Sequence, residues 1–456
     1  MRGVKKSRNA SKRISLVSLG CPKNLVDSEI ILGMLAQAGY AITSQPEDSE
    51  IIIINTCSFI EAAVRESLQT ILELAQIKEH GPCRFLVVCG CLPQRYKDKL
   101  THLLSEVDLF VGPGGFSLLP ELLRDLDEKK GISRLHISTP SFIPDIAIPR
   151  LPSTLHMAYV KIADGCSNVC SYCTIPQIRG SFRSRSIDSI IQEVTQLANM
   201  GVKEVNVVAH DTTAYGLDLP GSPGLKDLLR ALSSINGIRW IRILYAHPKR
   251  ITKSLIEAIR DNNKVINYLD IPIQHINPDI LKAMNRPYND YYIRNLIDRL
   301  RKAMPHIVLR TTLMVGFPHE TDKVFQELVD FVKEIQFDHL GVFKYSKEGG
   351  TKAATFEGHI PEKVKELRYR TLMELQAQIS LSKNRSLVGT TQEVIIEEGD
   401  NRVGAPLKGR TSHQAPDIDG IVYITKGSGA IGDIVDVTIT EACAYDLIGE
   451  VKGKIF

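Results

Sequence analysis

Short apolar runs of strand length, each followed by a stretch with helical periodicity, constrain this chain more than any other feature. Between residues 14 and 140 the runs are 14–19, 51–54, 85–88 and 107–111. The first leads into 24–38, where Leu25, Ile30, Leu32, Met34 and Leu35 precede Gly39, a helix stop. Strands separated by helices imply a parallel sheet with covered faces. The rhythm resumes over 155–375, with strand candidates at 157–162, 204–209, 240–245, 268–271, 308–314 and 340–343. Six β/α units predict an open (β/α)6 barrel whose functional face is the carboxyl edge of its strands. From about Ser386 the texture changes to β-rich runs at 392–396, 421–425 and 434–439, separated by Gly, Pro and Asp turns, and a small five-stranded β-barrel is expected. The fold class is α/β.

Gly112-Pro113-Gly114-Gly115 closes the first sheet region, and Pro140, Pro144, Pro149 and Pro152 make a stiff, extended connection. The chain therefore divides into a basic tail (1–13), an α/β sheet domain (14–140), a linker (141–153), the barrel (154–385) and the small β-barrel (386–456). The tail, MRGVKKSRNASKR, is not followed by a long apolar region, so it is expected to be solvated and disordered rather than a secretory signal. No apolar run approaches the ~20 residues of a membrane span.

The sharpest chemistry lies at 164–180, DGCSNVCSYCTIPQIRG. Cys166, Cys170 and Cys173 form C-x3-C-x2-C, with Tyr172 just before the last. Three thiolates can each hold one iron of a four-iron cluster, leaving the fourth iron open to a small molecule. A structural zinc site needs four ligands, usually as paired knuckles, and no partner His or Cys stands at such spacing. Buried structural thiols are common, but three crowded into a Gly-, Ser- and Asn-containing loop do not look like core. The spacing with its aromatic resembles the radical S-adenosylmethionine enzymes, in which the open iron holds the amino and carboxyl groups of that cofactor.

A second set follows from the strand pattern. Cys21 follows the first strand, Cys57 the second and Cys91 the third, at separations of 36 and 34 residues. The carboxyl ends of parallel strands share one edge, so the three loops can converge on a shared metal site. Taken one at a time, each would be read as an independent loop or core cysteine. Cys83, Cys89 and Cys443 have no such placement and are read as unligated. The clustering of nine cysteines favours metal chemistry in a reducing cytoplasm over a disulfide framework.

Further polar motifs follow the barrel strands: His210-Asp211-Thr212, Gln274-His275, Gly316-Phe317-Pro318 and Tyr345-Ser346. Singly, each is more often structural, but a common edge makes a pocket. Arg179, Arg183 and Arg185 are candidates to pair with a carboxylate or phosphate, against the ordinary reading of solvated arginines.

A composition that is 43% hydrophobic and 24% charged is that of an ordinary globular chain, and a formal charge of +4 does not argue for nucleic acid. Its distribution says more. Residues 386–456 hold six Lys/Arg against eleven Asp/Glu, a net of −5. Such a surface repels a polyanion and favours a basic protein.

The pieces together resemble the methylthiotransferase family over nearly the whole chain, and within it the RimO type more than the tRNA-modifying MiaB type. SLGCPKNLVDSE at 18–29, NTCSFIEAAVRESL at 55–68, DTTAYG at 211–216, YLDIPIQH at 268–275 and APDIDGIVYI at 415–424 carry the resemblance. It implies an N-terminal methylthiotransferase domain, a radical S-adenosylmethionine core, a C-terminal TRAM domain and two 4Fe-4S clusters, with catalytic residues beyond the cluster cysteines unassigned. One S-adenosylmethionine would methylate sulfur associated with the cluster of Cys21, Cys57 and Cys91. A second, at the cluster of Cys166, Cys170 and Cys173, would be cleaved to a 5′-deoxyadenosyl radical that abstracts hydrogen from the β-carbon of an aspartate of ribosomal protein S12. The implied partners are that protein and an electron donor such as flavodoxin or ferredoxin, with no membrane and no direct nucleic-acid substrate. Two other readings stand beside it: a tRNA-adenosine methylthiotransferase, and a non-catalytic iron–sulfur protein that binds the ribosome. His210 departs from the family pattern, where Gln is usual, as do His319 in GFPHET, where Gly is usual, and Gly349 and Lys352 in place of Glu and Pro.

Overall fold

The computed structural model describes residues 12–140, 149–400 and 405–452. Residues 1–11 of the expected tail and 141–148 of the expected linker lie outside the described residues. By contact, the chain forms two compact units. The first comprises Met1–Ser153 with Asp164–Asn168 and Cys173–Arg183, and the second the remainder.

The first unit is built on a six-stranded parallel sheet. Its spatial order is Ala41–Ile42, Arg13–Ser18, Ile51–Thr56, Phe85–Gly90, Leu109–Val111 and Leu135–His136. Ile51–Thr56 is buried throughout, as a central parallel strand must be. Its side chains alternate between two cores: Ile52 and Ile54 pack with Leu86 and Val88 on one face, and Ile51 and Ile53 with Val87 and Cys89 on the other. The helix Pro22–Gln37 begins with proline at its first turn and ends before Gly39, which adopts φ +93. The two short outer strands, Ala41–Ile42 and Leu135–His136, are additions to the four strands expected from sequence.

The second unit contains the six expected parallel strands in sequential order: Met157–Lys161, Glu204–Val208, Trp240–Ile243, Val265–Asp270, Val308–Val315 and His339–Lys344. They form an open sheet. Its helices are amphipathic; Leu225–Ser233, for example, buries Leu225, Leu228, Leu229 and Leu232 at helical spacing. The C-terminal part is a closed barrel of five strands, Thr391–Asp400, Ala405–Thr411, Val422–Lys426, Ile434–Ala442 and Leu447–Val451.

A buried ionic network joins the two parts of the second unit. Glu204 accepts from Arg242 at 2.8 Å and Arg410 at 2.7 Å, and Arg410 also donates to Glu397 at 2.6 Å. Tyr268 donates to Asp419 at 2.7 Å and Tyr159 to Asp417 at 2.9 Å. Two arginines face two glutamates here, so the buried charge is balanced, which burial requires. No helix of the described residues is long and apolar enough to cross a membrane.

Candidate functional site

Cys21, Cys57 and Cys91 stand at the carboxyl ends of three strands that are neighbours in the sheet. Cys21 caps the helix Pro22–Gln37, Cys57 directly follows Ile51–Thr56, and Cys91 opens the short helix Cys91–Tyr96 directly after Phe85–Gly90. The sheet order places the first two at the point where the winding direction reverses, the crevice where such sheets bind ligands.

Glycine lets these loops approach. Gly20 adopts φ +90, and a side chain there would meet the Cys57 Cβ at 2.5 Å. Gly90 adopts φ +96, and a side chain there would meet Asn55 Oδ1 at 2.4 Å. Both conformations and both clearances need glycine. The residue before a cysteine is thus fixed in two of the three loops. Polar side chains bind the same loops together. The Asn24 amide donates to the Leu19 carbonyl at 2.7 Å and to the Asn55 and Thr56 carbonyls at 3.3 Å. Asn55 returns a hydrogen bond to the Asn24 carbonyl at 3.0 Å, and Ser67 donates to the Cys57 carbonyl at 2.8 Å.

All three are free thiols. Burial first, then the charges of Cys91 and Cys21, push the Cys57 thiol up to about 12. Burial also raises Cys91, opposed by the charge and hydrogen bond of Arg179. Burial, with neighbouring thiol charge, disfavours the bare Cys57 and Cys91 thiolates, and a cation among them would relieve it. Among the described residues no three His, Cys, Asp or Glu side chains are grouped to hold a single metal ion. A cluster is a different demand: each thiolate takes its own iron, so the ligands stand further apart than those of one ion. The donor set fits an iron–sulfur cluster.

Arg179, at the end of the helix Ile175–Arg179, belongs to the same unit. Its guanidinium donates from Nε to the Cys91 sulfur at 3.3 Å, from Nη1 to Asp27 at 2.7 Å and Asp164 at 3.3 Å, and from Nη2 to Asn24 at 2.9 Å. Sequence grouped Arg179 with Arg183 and Arg185. In the structure Arg179 and Arg185 are buried on carboxylates, the latter on Glu193, whereas Arg183 donates to the carbonyls of Ser181 and Arg179. Nothing in the sequence pointed from Arg179 to Cys91.

The C-x3-C-x2-C loop follows the strand Met157–Lys161 in the chain, and its cysteines are also free. In the first unit, the Cys166 amide donates to the Gly180 carbonyl at 3.0 Å. In the second, Arg286 donates to the Cys170 sulfur at 3.5 Å and to the Pro272 carbonyl at 2.5 Å. Tyr172 packs on a cluster of Ile280, Met284, Phe317, Tyr345 and Ala353. The C-x3-C-x2-C spacing of three thiols fits a four-iron cluster.

The other polar motifs do follow their strands, but much of their bonding is internal. Asp211 caps the turn Thr212–Ala214 and accepts from Arg250 at 2.6 Å. His275 is fully buried and held neutral, its pKa lowered to about 3 by burial and by Arg368. Phe317 and Tyr345 meet edge to face at 5.3 Å. His319 adopts φ +69, a conformation that suits the glycine usual there. Gly349 is exposed, and Lys352 begins the turn Lys352–Thr355. Cys89 lies within its strand with its thiol raised by burial, and Cys83 packs in the adjoining core.

Comparison with known proteins agrees with this layout. Residues 13–112 match Uncharacterized protein family UPF0004, residues 160–332 the Radical SAM superfamily and residues 388–451 the TRAM domain. A radical S-adenosylmethionine module implies that cofactor and a four-iron cluster. Among solved structures, the fold is similar to the radical S-adenosylmethionine methyltransferase TsrM from Kitasatospora setae, with a TM-score of 0.56 at 14% identity over 84% of this chain and 81% of that one. It is also similar to the cobalamin-dependent S-adenosylmethionine radical enzyme OxsB, with a TM-score of 0.55 at 12% identity over 80% and 56%. The ribosomal protein uS12 methylthiotransferase RimO of Geobacter sulfurreducens is 50% identical over 97% of this chain and 99% of its own. That of Geotalea uraniireducens is 50% identical over 98% and 99%, and that of Desulforamulus reducens 47% identical over 96% and 99%. This chain belongs to the RimO family of radical S-adenosylmethionine methylthiotransferases.

Proposed function

We propose that this chain adds a methylthio group to the β-carbon of an aspartate of ribosomal protein uS12, in the cytoplasm. Identity of about one half with relatives of that name, along nearly their whole length, carries the reading. Cys166, Cys170 and Cys173 would hold the cluster that binds S-adenosylmethionine, with Tyr172 of the same loop assigned to the cofactor. Cys21, Cys57 and Cys91 hold a second four-iron cluster, the site of the transferable sulfur. A cluster and S-adenosylmethionine held by these residues would supply the radical chemistry needed to open a C–H bond too weakly acidic for any side-chain base. The chain's own part is to hold thiols, exclude water and seat the substrate. An external one-electron donor such as flavodoxin or ferredoxin completes the reaction. The work divides among the sheet domain (14–140), the radical core (154–385) and the TRAM domain (386–456).

The TRAM surface supports a protein substrate. Glu397 and Asp419 are taken up by internal pairs, so the sequence count overstates the surface charge. Glu393, Glu398, Asp417, Asp433, Asp436 and Glu441 are nonetheless exposed, against Lys426 and Lys452 among the described residues. That balance favours a basic protein over a nucleic acid.

Mass spectrometry of small-subunit proteins from a host with and without the gene tests the proposal. A methylthio increment on one uS12 aspartate that disappears on deletion is expected. An unchanged uS12 mass would overturn it, and loss of methylthio-adenosine from tRNA in its place would transfer the assignment to a nucleic-acid substrate.

A further inference from the structure

Arg179 is a buried cation of the first unit whose side chain touches a cysteine of the strand-end set. Its side chain is 2% exposed, with Asp27 at 0% and Asp164 at 5%. Two carboxylates and the Asn24 amide oxygen satisfy both terminal nitrogens. The remaining donor, Nε–H, is turned to the Cys91 sulfur at 3.3 Å. An arginine needed only to neutralise Asp27 and Asp164 would have no use for that edge. A guanidinium cannot lose its proton in a protein, so the hydrogen bond always runs from nitrogen to sulfur.

Sequence position adds a second argument. Arg179 lies six residues after Cys173 in the same short segment, yet its guanidinium serves Cys91 of the other set. One segment therefore carries a ligand for one cysteine set and a hydrogen-bond donor for the other.

We propose that Arg179 is a positioning residue for the cluster held by Cys21, Cys57 and Cys91, orienting the Cys91 thiolate and raising the cluster's reduction potential. This rests on the second-cluster reading above. Reduction places an added electron partly on the thiolate sulfurs, so a donor aimed at one of them stabilises the reduced form more than the oxidised form. The electron comes from an external one-electron reductant, and no bond to Arg179 is made or broken.

The test uses the full chain carrying C166A, C170A and C173A, so that only the second cluster can form. Iron and sulfide are measured after anaerobic reconstitution, and the cluster is then titrated potentiometrically with paramagnetic resonance detection. Arg179→Lys keeps the buried charge but lacks the Nε donor. The triple variant Arg179→Gln with Asp27→Asn and Asp164→Asn removes the cation and both of its anions together, so that none is left buried and unpaired. The expected result is retained iron and a reduced form disfavoured about tenfold, a midpoint lower by about 59 mV for a one-electron couple, with an altered resonance signature. An unchanged midpoint in both variants overturns the role of Arg179 while leaving the cluster reading intact. So does loss of iron from both variants when they are otherwise folded, which reduces Arg179 to a structural support. A parent protein that takes up no iron overturns the cluster reading and this inference with it.

Discussion

The two cysteine sets are assembled in opposite ways. Cys166, Cys170 and Cys173 lie within eight residues of one loop, so the local chain sets their spacing. Cys21, Cys57 and Cys91 come from the ends of three adjacent strands and meet only when the sheet is formed. In each set a guanidinium donates to one of the thiols, but the surroundings differ. Arg286 divides its donors among the Cys170 sulfur, the Pro272 carbonyl and the Tyr288 hydroxyl, the last two neutral, so its charge reaches the sulfur little reduced. Arg179 divides its charge between Cys91 and two carboxylates. Similar cysteine chemistry is thus placed in two different electrostatic settings, and the difference lies in side chains far from the cysteines in sequence.

Arg242 and Arg410 provide the reference for a buried arginine without sulfur. Glu204→Gln leaves Arg242 without its carboxylate and Arg410 with Glu397 alone, and a stability loss of roughly 3–5 kcal/mol is expected by denaturant titration, with iron uptake unchanged. A loss of iron with E204Q would mean that this network is not separate from the cysteine chemistry.

The same network fixes a pH dependence. Burial alone would raise the Glu397 carboxyl, but the hydrogen bond from His156 and the charge and hydrogen bonds of Arg410 together hold it down at about 2. Its folded value lies below the unfolded one, so its contribution is complete above about pH 4.5 and is lost as pH falls toward about 2. That contribution is on the order of 3 kcal/mol. Denaturation midpoints measured from pH 6 down to pH 3 should fall, and less steeply in Glu397→Gln. Equal slopes would assign the acid sensitivity elsewhere.

Arg286→Gln sharpens the contrast directly. The loop cluster's midpoint should fall by about 59 mV or more, a tenfold or greater change, and by more than Arg179→Lys lowers the other. The reverse order would show that the two carboxylates beside Arg179 do not weaken it. The smallest effect is expected at His319, outside both sets. Relief of its left-handed backbone in His319→Gly should raise stability by at most about 1 kcal/mol, read from the melting curve.

The cysteine placements were legible because strand ends in a parallel sheet share an edge, so three cysteines after three apolar runs could be brought together without coordinates. The five-stranded barrel was legible in number but not in detail. Ala405–Thr411 was missed because its buried Arg410 is a charged residue and its Gly409 packs against Ile395, and neither looks like strand core. The edge strands Ala41–Ile42 and Leu135–His136 are too short to show a period. Arg179 is the clearest case of hidden information: Asp27 is 152 residues away and Cys91 88, and only the fold unites them. The one local trace was the Gly-Cys pair at 20–21 and again at 90–91, where a glycine is needed for the neighbouring strand end to approach.

The central claim is that one cysteine set generates the radical and the other holds the sulfur. It is tested most directly by the reconstituted, reduced chain carrying C21A, C57A and C91A, incubated with S-adenosylmethionine and uS12, with 5′-deoxyadenosine and methylthio-aspartate measured in the same sample. The account predicts that 5′-deoxyadenosine still forms and that methylthio-aspartate does not. Methylthio-aspartate formed by this variant would contradict it.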